Sequence, residues 1–218
     1  MRNFLAKRLF DISFSSFGIM LSLPLWIMIS LMIFKEDKGP VYYIQKRVGK
    51  KGRLFNMIKF RSMQVEAEKE TGPIQARGDD VRNTKIGHLL RITALDELPQ
   101  LINILKGDMS FVGPRPLRAD ELENITHVHT HLQNHAGIDV RQAVTPGLTG
   151  VAQVLEPRDI QIDKKARYDI WYVKNNSLIL DLWLICISFL ITFLGRWETN
   201  ERYKTRLCMA LSRHVNLE

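Results

Sequence analysis

The longest uninterrupted apolar stretch lies near the start of the chain. Residues 12–34 contain no charged side chain, and a stretch of this length can span the hydrocarbon core of a bilayer. It has no A-x-A-like cleavage site and is longer than the apolar part of a signal peptide, so we expect it to remain in the mature protein. Pro24 lies in its middle with Ser22 nearby, and a proline inside a helix removes a hydrogen bond and kinks the helix.

Basic residues flank this stretch on both sides, with Arg2, Lys7 and Arg8 before it and a longer basic run after it. Positive charge marks the cytoplasmic side of a membrane segment. Both flanks satisfy that rule only if both face the cytoplasm. We therefore predict a re-entrant membrane element, helix–break–helix, with the break at Ser22 and Pro24. The alternative is a single kinked span, in which one basic flank would face outward.

The next pattern predicts a β-hairpin. Residues 41–44 and 54–58 are rich in β-branched and aromatic side chains, and residues 49–52 between them carry a glycine turn signal. Residues 40–63 are basic and contain no acidic residue. This charge either holds the chain to anionic headgroups, or it brings Lys59 and Arg61 to a phosphate.

A short amphipathic helix follows an acidic pair. Four apolar residues recur at the i, i+3, i+4, i+7 spacing of a helix with one buried face: Leu98, Leu101, Ile102 and Leu105. Gly107 is typical of the residue that ends such a helix. If Asp96 is the N-cap, Pro99 falls in the first turn, where its missing N–H is tolerated. Asp96 and Glu97 would then lie at a helix start, although an ordinary cap is the commoner explanation of this pattern alone.

The C-terminal part holds a second apolar stretch. Residues 182–194 are uncharged but too short to span a bilayer, so we predict a helix in the membrane interface or against the re-entrant element. Tyr168, Trp171 and Tyr172 precede it. They fit a membrane interface and a protein core equally well. Residues 196–218 form a basic tail, which we place on the membrane surface.

The net charge and the cysteine count limit the kinds of partner and the cellular location that we expect. The chain has 218 residues and a formal net charge of +8, with a pI of about 9.6, so its partners are expected to be anionic: a nucleotide, an anionic lipid surface or a nucleic acid. Two cysteines make neither a disulfide framework nor a zinc site. A reducing, cytoplasm-facing location follows.

Two arginines are candidate anion ligands near the acidic pair. Arg115 lies between Pro114 and Pro116, and the two prolines keep its backbone extended. It is therefore a good candidate for bidentate phosphate binding. Arg91 lies five residues before Asp96.

Six short motifs follow one another along the chain: Lys7-Arg8-Leu9-Phe10-Asp11, Lys59-Phe60-Arg61-Ser62-Met63, Leu95-Asp96-Glu97-Leu98-Pro99-Gln100, Lys106-Gly107-Asp108-Met109-Ser110, Val112-Gly113-Pro114-Arg115-Pro116 and Thr145-Pro146-Gly147-Leu148-Thr149-Gly150. Taken together, they resemble the motifs of the bacterial sugar transferases, the monotopic phosphoglycosyl transferases, which carry them in the same order. Each motif is weak alone, but the ordered set is highly specific. The resemblance extends from near Arg2 to near Gly195.

The resemblance implies a phosphoglycosyl transferase at the cytoplasmic face of the bacterial cytoplasmic (inner) membrane. Such an enzyme moves a phosphosugar from a nucleotide diphosphosugar, usually a UDP-sugar, to polyprenyl (undecaprenyl) phosphate and releases UMP. This is the first membrane step of glycoconjugate or polysaccharide assembly. The family uses Mg²⁺ and a covalent phosphosugar intermediate on the aspartate of its Asp-Glu pair, which is Asp96 here.

The resemblance also implies roles for the other candidates. Asp96 and Glu97 are the catalytic pair, and either could hold the metal or orient its partner. Lys59, Arg91 and Arg115 are expected to bind substrate phosphate. We thus predict a mostly helical α+β fold with interfacial amphipathic helices in three parts: a re-entrant membrane hairpin (1–37), a cytosolic or interfacial catalytic domain (38–195) and a basic tail (196–218). Membrane lipids are expected partners, nucleic acid is not, and a homo-oligomer is left open.

Several positions depart from the family pattern. Leu23 separates Ser22 from Pro24, and Ala94 stands where serine is common. Residues 119–143 form a longer and more polar link than usual, with four histidines that fit a metal site or, as we expect, a solvated helix: His127, His129, His131 and His135. The alternative function is a non-enzymatic, membrane-anchored basic module that binds anionic lipid or nucleic acid. It would explain the charge but not the acidic pair.

Overall fold

The structure, a computed structural model, describes residues 4–67, 80–119, 136–155 and 162–193. In this part the chain is mostly helical, with two small two-stranded sheets, which confirms the predicted mostly helical α+β class. The elements in chain order are α1 (Phe4–Asp37), β1 (Tyr42–Val48), β2 (Leu54–Phe60), α2 (Lys85–Ile92), α3 (Gln100–Lys106), β3 (Ser110–Val112), α4 (Ala136–Gln142), β4 (Gly147–Thr149), α5 (Val151–Leu155), α6 (Ile162–Asn175) and α7 (Leu178–Phe193).

The first helix, α1, contains the long apolar stretch and is helical throughout its 34 residues, Pro24 included. Among the described residues it is the one helix long and apolar enough to cross a bilayer. The helix is therefore continuous through the predicted break: Ser22 and Pro24 both lie within α1. A proline removes a single backbone donor, and the Ser22 hydroxyl donates to the Gly18 carbonyl one turn earlier, at 2.6 Å.

Strands β1 and β2 form the predicted hairpin. They pair antiparallel from Tyr42 opposite Phe60 to Val48 opposite Leu54. The turn between them is a 3₁₀ turn, Lys50–Gly52. The turn requires a positive φ at Gly52 (73°), a conformation that glycine adopts readily.

The acidic pair does not cap α3, which corrects the sequence prediction. Asp96 and Glu97 lie in a 3₁₀ turn, Leu95–Glu97, and α3 begins at Gln100 with Pro99 at its N-cap position and no side-chain cap. Leu95 and Leu98 are both partly buried against a core cluster. Their packing draws the chain into a helical turn before α3 begins, so Asp96 is not the last extended residue that an N-cap must be.

Helix α3 packs through one face on the hairpin. Its fully buried residues are Gln100, Leu101, Asn103 and Ile104, whereas the predicted face member Leu105 is exposed. The Asn103 side chain accepts a hydrogen bond from the Ile58 N–H at 3.0 Å and donates to the Asn56 carbonyl at 2.8 Å. Gly107 ends the helix with a φ of 94°, which confirms the predicted stop.

A second, unpredicted sheet carries the chain toward Arg115. Strands β3 and β4 pair in parallel, with Ser110 opposite Gly147 and Val112 opposite Thr149. The backbones approach closely, because a Cβ at position 147 would lie 2.0 Å from the Gly113 nitrogen. Helices α5, α6 and α7 cover this sheet with a core that contains Tyr172.

The aromatic residues of α6 are core residues and not an interfacial belt, which settles the alternative left open by the sequence. Tyr168 and Tyr172 are buried, and Trp171 packs partly buried against the same cluster. Helix α7 buries Leu184 and Ile187 in that cluster. Its opposite side carries exposed apolar residues, such as Phe189 and Phe193.

The N-terminal end of α1 is fastened to the rest of the chain by polar contacts. Arg8 donates to the carbonyls of Ile104 and Leu105 at the end of α3, both at 2.7 Å. Asp11 is buried and accepts from the Ser110 hydroxyl and the Phe111 N–H, both at 3.1 Å. These contacts satisfy backbone groups that a helix end and a short strand leave free.

Lys7 joins α1 to α7 and to β3. It forms an ion pair with Asp181 and donates to the Val112 carbonyl at 3.0 Å. Tyr172 donates to the same carboxylate at 2.7 Å. Burial is the main cause that raises the pKa of Tyr172, and the Asp181 charge adds to it, so the phenol stays a hydrogen-bond donor.

The C-terminal end of α1 is fastened to the same body. Glu36 accepts from the Lys85 N–H at 2.7 Å, at the start of α2, and Asp37 pairs with Arg61. Between the two ends, the Trp26 ring packs edge-on against Phe60 with centroids 5.8 Å apart. Both ends of α1 therefore contact one compact assembly of hairpin and helices.

Two sequence predictions fall outside the described residues: the basic tail (196–218) and the four histidines of the 119–143 link.

Replacing Arg8 by methionine should destabilise the protein while leaving the apolar face of α1 unchanged. The variant removes two hydrogen bonds to the carbonyls that end α3, which is expected to cost about 2 kcal/mol and to lower Tm by about 4–8 °C. Tryptophan fluorescence during thermal unfolding in detergent measures the shift. The matched control is Lys35→Met, an exposed cation on the same helix. Equal Tm values for the two variants would contradict the fastening role of Arg8.

Candidate active site

The acidic pair lies where α2, the hairpin and the chain after β3 meet. Ala94, just before the 3₁₀ turn, has a φ of 54°, a left-handed conformation that is strained for a residue with a Cβ. This residue reverses the chain after α2 and directs the pair inward. Asp96 is 6% exposed, and the Glu97 side chain is 13% exposed.

Lys59 reaches both carboxylates from β2. Its Nζ lies 2.6 Å from Glu97 Oε1 and 3.9 Å from Asp96 Oδ2. Burial lowers the pKa of Lys59, and the negative charges of Glu97 and Asp96 oppose that shift. The close Glu97 oxygen makes the ammonium form the one that fits this geometry, because a buried charge with a hydrogen-bonded partner is compensated.

Arg115 contacts the acidic pair from a different part of the chain than Lys59. It lies in the loop after β3, and its Nη2 is 3.4 Å from Glu97 Oε1. Its side chain is 43% exposed, so the guanidinium keeps N–H donors available to solvent. The same Glu97 oxygen therefore contacts Lys59 on β2 and Arg115 in the loop after β3.

The remaining sequence candidates are placed less directly. Arg91 is in the last turn of α2, and its carbonyl accepts from the Ala94 N–H at 3.2 Å. Its charge contributes to lowering the pKa of Asp80, whose hydrogen bond to Arg82 is the main cause. Arg61, weighed with Lys59 as a phosphate ligand, is buried and pairs with Asp37 instead.

The membrane-break residues are linked to the site only through a shared core cluster. Ser22 and Pro24 lie in α1, and the residue after Pro24, Leu25, packs partly buried against the same cluster as Leu95 and Leu98. These two leucines flank the acidic pair in the chain. No contact of Ser22 or Pro24 themselves with the acidic pair is found among the described residues.

The donor set of the site fits a magnesium ion that a substrate would complete. Mg²⁺ in nucleotide sites takes one or two carboxylates, with phosphate oxygens and waters supplying the rest. Asp96 and Glu97 provide two adjacent carboxylates. The described residues include no group of three or more His, Cys, Asp and Glu side chains that could hold a metal without a substrate.

An open cleft lies beside Arg115. About 280 Å³ of empty space, open solvent included, lies between the hairpin turn and the loop after β3. Its lining residues combine apolar walls with two guanidinium groups: Val48, Gly49, Pro114, Arg115, Pro116, Leu117, Arg141, Gln142 and Pro146. A phosphate held at Arg115 would have this cleft available for an attached group.

Two residues of this region were not selected from the sequence. Arg141, on α4, donates through Nε to Asp169 Oδ2 at 2.6 Å and through Nη2 to the Arg115 carbonyl. Asp169, on α6, is 2% exposed. The sequence carries little signal for either residue: Asp169 lies within the span of the family resemblance but in none of its six motifs, and Arg141 lies in the 119–143 link that departs from the family.

The chain is similar to known sugar transferases. The family model described as "Bacterial sugar transferase" matches residues 2–195. The uncharacterized sugar transferase EpsL of Bacillus subtilis is 38% identical over 182 residues, which cover 84% of this chain and 84% of the relative.

Two longer relatives carry more specific names. The UDP-glucose:undecaprenyl-phosphate glucose-1-phosphate transferase of Klebsiella pneumoniae is 39% identical over 199 residues, 89% of this chain and 41% of the relative. The undecaprenyl-phosphate galactose phosphotransferase of Salmonella typhimurium is 37% identical over 190 residues, 81% of this chain and 38% of the relative. The chain thus spans less than half the length of these two relatives. Because the family match covers nearly the whole chain, this protein belongs to the bacterial sugar transferase family.

Proposed function

We propose that this chain transfers a phosphosugar from a UDP-sugar to polyprenyl phosphate. The observation that carries the proposal is the buried Asp96, held beside Lys59 and Glu97 with Arg115 opposite. The names of the Klebsiella and Salmonella relatives support the lipid acceptor, and the Klebsiella name supports the UDP-linked donor. The donor sugar differs between these two names, so an assay must identify it for this chain.

The proposed reaction takes place in two displacements. An Asp96 carboxylate oxygen attacks the phosphorus that carries the sugar, the bond from that phosphorus to the bridging oxygen breaks, and UMP leaves with the oxygen. A polyprenyl phosphate oxygen then attacks the same phosphorus and frees Asp96, which gives polyprenyl diphosphosugar. A covalent intermediate divides one difficult displacement into two easier ones.

The neighbouring side chains have distinct proposed tasks. Lys59 pairs with Glu97 and lowers the repulsion between the two carboxylates and an incoming diphosphate. Arg115, more exposed, binds donor phosphate, and Arg91, five residues before Asp96 in the chain, is the second candidate ligand for that phosphate. Asp96 and Glu97 would hold Mg²⁺, which supplies charge neutralisation for the leaving phosphate.

The placement of α1 supports a re-entrant element on the cytoplasmic face. A straight helix of 34 residues is about 50 Å long, and the hydrocarbon core is about 30 Å thick. In a spanning helix the two ends would lie on opposite sides of the membrane. Here Arg8 at one end and Asp37 at the other contact the same body. We therefore place both ends at the cytoplasmic surface, with the exposed apolar face of α1 in the lipid.

The non-enzymatic alternative, a basic module that binds anionic lipid or nucleic acid, fits the site poorly. Such a module needs exposed cations and has no use for a carboxylate that is 6% exposed and lies 3.9 Å from a buried lysine. A buried acidic pair beside two cations instead resembles an active site, where such groups cluster.

Replacing Asp96 by asparagine should lower UMP release by about 10³-fold or more, because the amide cannot act as the phosphoryl acceptor. The assay contains purified protein in nanodiscs, Mg²⁺, polyprenyl phosphate and a panel of UDP-sugars. Vesicle flotation should show unchanged membrane binding, since α1 is intact. Asp139→Asn, at an exposed carboxylate of α4, is the matched control and should keep wild-type activity.

Two results of this assay would contradict the proposal. One is a wild-type protein that releases no UMP from any UDP-sugar of the panel. The other is an Asp96→Asn variant as active as the Asp139→Asn control, which would remove Asp96 from the chemistry.

Cysteine labelling of the two flanks of α1 should show both on the cytoplasmic side. Leu5→Cys, in the first turn of α1, and Lys38→Cys, just after its last residue, place single thiols at exposed positions at the two ends of the helix, in a chain whose Cys186 and Cys208 are replaced by serine. A membrane-impermeant maleimide applied to intact cells should label neither site, and both should react after the membrane is opened. Labelling of one flank in intact cells would establish a single span instead.

A further inference from the structure

We propose that Arg141 is a positioning residue, held by Asp169, that fixes the backbone of Arg115 so that its guanidinium meets the donor diphosphate. The inference rests on the proposed function, in which Arg115 binds that diphosphate. It adds two residues from α4 and α6 that would act on the donor side of the site without touching the reacting atoms.

The loop that carries Arg115 has four successive carbonyls, each of which accepts a hydrogen bond from another part of the chain. The Gly147 N–H donates to Pro114 O at 2.9 Å, Arg47 donates to Pro116 O at 3.2 Å, and the Val48 N–H donates to Leu117 O at 2.9 Å. Arg141 supplies the remaining bond, to the carbonyl of Arg115 itself. A loop held at every carbonyl is rigid, and the Arg141 contact fixes the residue whose side chain would bind phosphate.

Arg141 can hold this carbonyl because Asp169 holds Arg141. The two side chains are 13% and 3% exposed, and the Nε to Oδ2 distance is 2.6 Å. Burial raises the pKa of Asp169, and the positive charge of Arg141 opposes that rise. The guanidinium therefore uses one edge for the carboxylate and another N–H for the loop, which a lysine ammonium cannot reproduce in the same fork geometry.

Arg115 depends on such support because its own side chain is weakly held. It is 43% exposed, and its contact with Glu97 is long at 3.4 Å. Arg141 also lines the cleft beside Arg115, so the residue that holds the Arg115 carbonyl belongs to the same surface as the Arg115 side chain.

The test uses Arg141→Lys, which keeps a positive charge beside Asp169 and so preserves folding. UDP serves as the probe, titrated calorimetrically into protein in nanodiscs with Mg²⁺. We expect UDP affinity to fall about 10-fold, because a small misplacement of a binding group loses this much or more. In the UMP-release assay the donor KM should rise by a similar factor, while the KM for polyprenyl phosphate stays the same. A general structural defect would change both.

A double-mutant cycle separates positioning from an independent contact. Arg115→Ala should itself weaken UDP binding, and Arg141→Lys should add no further loss in that background, because the residue it positions is gone. Losses that multiply in the double variant would overturn the inference. Asp169→Asn should resemble Arg141→Lys.

The matched control is Arg167→Ala, an exposed arginine on the same helix as Asp169, which should leave UDP affinity and both KM values unchanged. A folded Arg141→Lys variant that binds UDP as tightly as the wild type overturns the positioning role, whatever the activity. Wild-type protein that binds UDP but releases no UMP refutes the proposed function alone, and the binding cycle still decides the role of Arg141. Wild-type protein that binds neither UDP nor inorganic pyrophosphate overturns both.

Discussion

The docking of α1 along one side of the remaining chain is the constraint on which the site depends. Its polar residues Lys7, Arg8 and Asp11 contact the end of α3 and strand β3. Those two elements lie directly after Asp96 and directly before Arg115 in the chain. The apolar helix therefore does more than attach the protein to lipid. It fixes the separation between the acidic pair and the arginine loop, neither of which has a large core of its own.

The elements around the site are too short to be stable alone. Helix α3 has seven residues and β3 has three, and isolated helices of this length do not form in water. Side-chain hydrogen bonds supply the stability that these short elements lack. The Asn103 side chain bonds to the backbone of β2, as a neighbouring strand would. Arg8 donates to the carbonyls at the end of α3. Loss of one such contact should therefore affect positions several elements away.

The sequence predicted the features that local pattern controls. Two stretches rich in β-branched and aromatic residues with a glycine turn between them identified the hairpin, and Gly107 identified the end of α3. The capping role of Asp96 failed because burial of Leu95 and Leu98 outweighed capping preference. Contacts between distant residues, such as Arg141 with Asp169, and the parallel β3–β4 pair depend on the folded chain, so no periodicity could reveal them.

Lys59 and Arg115 hold Glu97 with different strengths. This difference indicates how the site could bind an anion and keep its charges balanced. Lys59 holds Oε1 at 2.6 Å from a side chain that is 16% exposed, and breaking a buried pair of this kind costs about 3–5 kcal/mol. Arg115 contacts the same oxygen at 3.4 Å from an exposed side chain, and exposed pairs contribute only about 0–1 kcal/mol. A diphosphate would therefore displace Glu97 from Arg115 and leave it on Lys59. In the proposed reaction, Glu97 would then stay neutralised by Lys59, and Asp96 would be the carboxylate that meets the incoming phosphorus.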